Sequence, residues 1–247
     1  MIPTLASVIE RRLLVNYRVD PAVAAGLLPA PLRPQLVGDW AVAGICLIRL
    51  GQVRPPYLPS GIGVRSENAA HRIAVEWDGP DGVRTGVYIP RRDTDSRLNT
   101  VVGGRLFPGV HHLADFDVRE TGTDLHVEYA TMDGSTRVAV DARLADDFAG
   151  SRLFPDLATA SEFFRQGCGG YSCSADPRRL DGVELATDAW RVEPVELIAV
   201  HSSFFEDPAR FPPGSATLDC ALVMRDVPAR WRTVESMRLS VPEPLGL

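Results

Sequence analysis

The chain has 247 residues, 45% of them hydrophobic and 23% charged, a composition that excludes disordered and fibrous classes and lets roughly 70–75% of the unfolded surface be buried. Its formal net charge of −6 excludes the clustered basic face that nucleic-acid phosphates need. All 26 basic residues are arginine, which excludes Schiff-base chemistry on a side-chain amine, pyridoxal phosphate catalysis and a Walker phosphate loop, since each needs lysine.

Most of the periodicity is that of strands. Val8–Val19 is the first, followed by a short helix over Ala22–Leu28 that Asp20 caps, Pro21 opens and Pro29 ends. Strands over Ala41–Leu50, Val64–Trp77 and Val83–Ile89 come next, with Arg54-Pro55-Pro56-Tyr57-Leu58-Pro59 a rigid loop after the first of them. A second helix spans Arg97–Leu106, capped by Asp95 or Ser96 and weakened at its end by Gly103-Gly104, and Leu113–Arg119 is a further strand. In Asp124–Leu144 the pair Asp133-Gly134 predicts a two-residue hairpin turn in which both residues take positive φ. Pairing Met132 with Ser135 then sets Tyr129 against Val138, Val127 against Val140 and Leu125 against Ala142 on an apolar face, and His126 against Asp141 on a polar one. Thr159-Ala160-Ser161-Glu162 reads as a capping box opening a helix that runs to Gln166 and stops at Gly167. The last strands are Val183–Trp190, Val192–Phe204 and Leu218–Arg225. About ten strands with three short helices, and no strand–helix alternation, predict a β-rich α+β fold built on a large curved sheet or barrel. Residues 1–247 read as a single domain.

Alternation along Val64–Trp77 puts Glu67 and His71 on the face of Ala69, Ile73, Val75 and Trp77, where burial shifts titration and can make a carboxylate an acid or base. His111 and His112 are adjacent, so one of them at most lines a given cavity as a general base. Without HxH, HxxxH or HExxH spacing neither a metal nor a cofactor is expected. Arg12, Arg18, Arg91 and Arg92 can clamp a carboxylate bidentately. His126 is assigned to Asp141, and His201 before Ser202-Ser203 makes no triad: Gly169-Gly170-Tyr171-Ser172-Cys173 lacks the closing glycine of a nucleophile elbow. No GxGxxG follows a strand, so no dinucleotide is expected. Cys46 and Cys220 sit in apolar runs, and Cys168 and Cys173 have no second pair, which reads as reduced structural thiols. Trp40–Ile48 is too short to span a membrane, and Met1–Arg12 lacks a basic start before an apolar core, so a cytoplasmic protein with no membrane partner is expected.

Four stretches, in order, resemble the acetoacetate-decarboxylase-like superfamily and, within it, the YqjF-like group. They are Arg12-Leu13-Leu14-Val15-Asn16-Tyr17-Arg18-Val19-Asp20 leading to Leu27-Leu28-Pro29; Ser66-Glu67-Asn68; Gly86-Val87-Tyr88-Ile89-Pro90 running on to Arg105-Leu106-Phe107-Pro108; and Thr159–Gln166. The resemblance implies a cone-shaped β-barrel with surrounding antiparallel sheet and a few short helices. Decarboxylases of the superfamily carry a Phe-Pro-Lys-Lys-Leu-Ala-like segment whose lysines provide the Schiff base, and a strand glutamate that projects into the cavity. Aligning Leu113-Ala114 puts His111-His112 where those lysines stand, at the cost of two inserted residues, and Glu67 matches the glutamate. The resemblance thus implies a small-molecule cavity, while the missing amine contradicts acetoacetate decarboxylation.

Two functions stay open. One is an enzyme acting on a carbonyl or carboxylate compound by non-covalent acid/base chemistry, with Glu67, His111 and His112 catalytic and Arg12, Arg18, His71, Arg91 and Arg92 binding substrate. The other is a non-catalytic binding or sensing protein that uses the same cavity. Either has a small-molecule ligand as its partner, and homo-oligomerisation is left open. Glu67 and one of the two histidines are expected to border one pocket.

Overall fold

The computed structural model describes residues 4–101 and 109–239. Its strands are β1 (Thr4–Val19), β2 (Arg33–Pro34), β3 (Leu36–Val37), β4 (Trp40–Arg54), β5 (Val64–Gly79), β6 (Gly82–Thr94), β7 (His111–Thr121), β8 (Asp124–Thr131), β9 (Arg137–Leu144), β10 (Gly169–Cys173), β11 (Arg179–Ala186), β12 (Glu193–Ser202) and β13 (Ala216–Arg238). Three short helices punctuate them: α1 (Pro21–Gly26), α2 (Arg97–Val101) and α3 (Leu157–Gln166).

The sheet closes on itself. Pairing runs β1-β4-β5-β6-β7-β8-β9-β12-β13 and back to β1, a ring of nine strands. A second ring shares β13, β1, β4, β5 and β6 and closes through β10 and β11. This explains a pattern that puzzles a strand-by-strand reading. A strand facing one core alternates, as β8 does, whereas a wall between two cores is buried on both faces, and Ala41–Ile48 of β4 are all buried. On one face Leu13, Ile45, Leu47, Ile73 and Val75 meet Val127, Tyr129, Val140 and the aromatic trio Phe204, Phe205 and Phe211. On the other, Leu14, Cys46, Ala70, Ile89 and Met224 meet Phe154, Ala160 and Phe164, the last two from α3.

The hairpin register is the predicted one, with His126 opposite Asp141 and their Nδ1 and Oδ1 atoms 2.7 Å apart. The turn differs: Gly134 alone takes positive φ (68°), and its N–H bonds the carbonyl of Thr131 in a type-I-like turn that leaves the register unchanged. The helix α3 begins one turn earlier than the capping box implied, because Asp156 accepts from the Thr159 N–H at 2.7 Å while Glu162 pairs with Arg165. Of the helix expected over Arg97–Leu106 the structure describes Arg97–Val101, and Arg105-Leu106-Phe107-Pro108 lies outside the described residues. β10 was not expected, and β13 continues beyond Arg225 through Asp226 (φ 52°) and Pro228, residues that read as a strand's end. No helix among the described residues is long and apolar enough to cross a membrane.

Candidate functional site

The site follows from register. β5 pairs Ala70 with Arg92 of β6, β7 runs parallel to β6 and pairs Arg92 with His111, and Asn68 pairs with Thr94. Asn68, Ala70, Arg92 and His111 therefore share the face turned to the second core. Glu67, Ala69, Asp93 and His112 take the face turned into the nine-strand ring.

A cavity of about 50 Å³ lies on the first of these faces. Ile48, Leu50 and Trp231 wall it, and Asn68, Arg92, Asn99 and His111 bring polar groups to it. Arg92 donates from Nε to Ser172 Oγ (2.7 Å), and no carboxylate among the described residues pairs with it. Burial lowers its pKa to about 10, so it stays charged at neutral pH. His111 Nδ1 lies 3.1 Å from the carbonyl oxygen of Gly109; a carbonyl only accepts, so Nδ1 carries the proton and Nε2 is left as the basic nitrogen. Burial, helped by the charge of Arg92, pulls the His111 pKa down to about 3, which keeps the imidazole neutral. Thr94 donates to Asn68 Oδ1 at 2.8 Å and accepts from Asn99 Nδ2 at 3.4 Å, fixing both carboxamides.

The other predicted site residues lie elsewhere. Glu67 is 8% exposed and accepts from Arg11 Nη2 (2.6 Å) and Arg49 Nε, while Glu120 of β7 takes the same two guanidiniums at 2.6 and 3.0 Å. His71 is sealed inside the nine-strand ring, its ring stacked 4.3 Å from that of Phe204 and neither nitrogen partnered among the described residues. Arg91 binds Asp93 (2.7 Å), whose other oxygen accepts from Tyr129, and His112 stands 3.9 Å from Asp133. Arg18 faces Asp219 at 3.6 Å and Arg12 lies over Trp190. Glu67 does not line the cavity that His111 borders. The structure brings Arg92 and His111 together, with Asn68 and Asn99, which the residue reading had passed over in favour of the neighbouring Glu67. Ser172 and Trp231 were also missed, the first in a segment tested only as a nucleophile elbow, the second beyond the expected end of the last strand. Surface clefts of about 500, 630 and 720 Å³ are lined by none of the predicted site residues. No cluster of histidine, cysteine or acidic residues among the described ones has the arrangement of a metal site.

Residues 8–225 match the DUF2071 family, described as an uncharacterized conserved protein. The chain belongs to that family. The DUF2071 chain is also similar to solved structures. Acetoacetate decarboxylase from Legionella pneumophila shares 12% identity with a TM-score of 0.56, over 94% of this chain and 87% of that one. An acetoacetate decarboxylase-like enzyme from Sphingomonas wittichii shares 14% with a TM-score of 0.56, over 96% and 93%. The enduracididine biosynthesis enzyme MppR complexed with pyruvate shares 14% with a TM-score of 0.58, over 96% and 90%. No curated protein matches the DUF2071 chain. At these identities the likeness establishes the fold, an acetoacetate-decarboxylase-like closed ring of strands, and leaves the chemistry to the site.

Proposed function

We propose that the chain is an enzyme that acts on a compact carboxylate carrying a carbonyl group, by proton transfer without a covalent intermediate, in the cavity of Arg92 and His111. One observation carries this reading: a guanidinium that no described carboxylate neutralises stands beside a neutral imidazole on one wall of a small cavity. Arg92 would hold the carboxylate, and the carboxamide of Asn99, whose bonds to Asn68 and Thr94 are long, would donate to the carbonyl oxygen as it gains charge. His111 Nε2 would remove the proton from the adjacent carbon and return it to the product. An imidazole titrating near 3 is a weak base. A bound carboxylate offsets the charge of Arg92, the smaller of the two causes, and so raises the imidazole's basicity while burial goes on lowering it. The small volume favours short-chain acids. That MppR, of the same fold, is complexed with pyruvate supports 2-oxo acids as the first class to try. Glu67, His112, His71, Arg12, Arg18 and Arg91 have no part in the step. The depressed His111 titration favours the alternative, a binding protein that uses the same contacts without turnover.

The two separate by proton NMR of pyruvate and other short 2-oxo acids in D2O. The enzyme reading expects faster exchange of the protons beside the carbonyl, lost by about 100-fold or more in His111→Gln, with Arg92→Gln weakening binding. Borohydride added to the same mixture should leave every side chain unmodified. Saturation-transfer signals from the acids without exchange would establish the binding reading, and the absence of both binding and exchange would overturn the site.

A further inference from the structure

The face that carries the cavity holds two more arginines, which the proposed reaction does not use. Arg72 stands opposite Gly44, which pairs with Asn16, and Arg12 stands opposite Ile48. Both point to the second core, on either side of the row formed by Cys46 and Leu14. Aromatic rings cover them. The Arg72 guanidinium lies 4.9 Å from the ring centre of Phe164 of α3, and that of Arg12 lies 5.7 Å from Trp190, whose indole N–H bonds Ser161 of the same helix at 3.0 Å.

Neither has a counterion among the described residues. Arg72 is 6% exposed, donates from Nη2 to Asn16 Oδ1, and has a buried Nε with no partner; the Nε and Nη1 of Arg12 are likewise buried and unpartnered. Cys220 does not supply the charge, since burial raises its thiol to about 12 and leaves it protonated. Arg72 itself, lowered to about 10 by burial with Arg12 pushing the same way, remains a cation at neutral pH. Arg72 is buried and Arg12 half-buried, and three of their nitrogens lie buried with no partner among the described residues, an arrangement that an anion held against them relieves.

We propose that Arg12 and Arg72 hold a small, weakly hydrated monoanion of halide size beneath α3. The walls choose the class: Leu14, Phe164 and Trp190 are apolar and offer little to replace a strong hydration shell, and three N–H donors suit a single-atom anion rather than a tetrahedral oxyanion. Neither arginine lines the Arg92–His111 cavity, and the proposal does not depend on that cavity's chemistry. By contacting both of these arginines under the helix that covers them, the anion couples the docking of α3 to anion concentration.

Crystals of the full chain grown with sodium bromide test the site directly. The expected result is an anomalous peak at the bromine edge in contact with Arg72 Nε and Arg12. In parallel, thermal unfolding at constant ionic strength should shift upward and saturate with bromide but not with fluoride, and the shift should vanish in Arg72→Gln, with Arg12→Gln as the second variant should the first not fold. Density at the site without anomalous signal, bromide confined to surface positions, or an equal shift in wild type and a folded variant would each overturn the proposal.

Discussion

Both carboxylate oxygens of Glu67 are taken, one by Arg11 and one by Arg49, and Glu120 closes the square from β7. Alternation correctly placed Glu67 on the face of Ala69 and Ile73, but no local pattern joins it to Glu120, which arrives across the ring only once the strands have closed. The square is electrically neutral and anchors β1, β4 and β5 to β7, so its worth is structural. Arg11 is fully buried. Removing one of its two carboxylate partners leaves it undercompensated, and Glu67→Gln is expected to cost on the order of 3–5 kcal/mol of stability in urea unfolding. Proton exchange of a 2-oxo acid by the folded variant should match wild type. A variant of normal stability that has lost exchange would return Glu67 to the catalytic set.

Elements that face one core could be read closely, and in β5, shared by two, alternation still separated the faces of Ala69 and Ala70. β8 and β9 alternate, and the pairing of His126 with Asp141 follows from that alternation even though the turn is of another type. β10 is short and opens on Gly169-Gly170, which reads as a loop, yet its backbone approaches β6 so closely that the glycine needed is Gly86: a Cβ there would lie 2.6 Å from the Gly169 carbonyl oxygen. That contact lies beside the β6–β10 pairing that closes the second ring, and no spacing along the chain announces it. The start of α3 is a smaller case. Thr159 and Glu162 fit a capping box, but Asp156 stands three residues before Thr159 and reaches its amide first. Asp156→Ala is therefore expected to lower the thermal midpoint, with Thr159→Ala having a smaller effect. Equal losses would restore the capping-box reading.

At the scale of the whole molecule, the strand patterns left a curved sheet and a closed barrel both open, and the resemblance chose closure, since strand patterns count strands without joining their ends. Closure also sets how the protein responds to acid, because each core holds a neutral histidine: His71, fully buried in the nine-strand ring, and His111, half-buried at the second-core cavity. Burial lowers both from 6.5 to about 3. Between those values the unfolded chain binds a proton at each site and the folded chain does not. The stability they permit at neutral pH is therefore lost as pH falls through 6.5 towards 3, at about 1.4 kcal/mol per pH unit for each histidine. Asp93, raised by burial, acts in the opposite sense in every variant that keeps it. Wild type should accordingly lose about 2 kcal/mol per histidine between pH 6.5 and 5 in urea unfolding. His71→Leu removes a ring whose two nitrogens have no partner among the described residues, so it should flatten that slope by about half and end more stable than wild type at pH 5. If His71→Leu keeps the full wild-type slope, His71 is not held neutral in the core, and the acid response belongs to other groups.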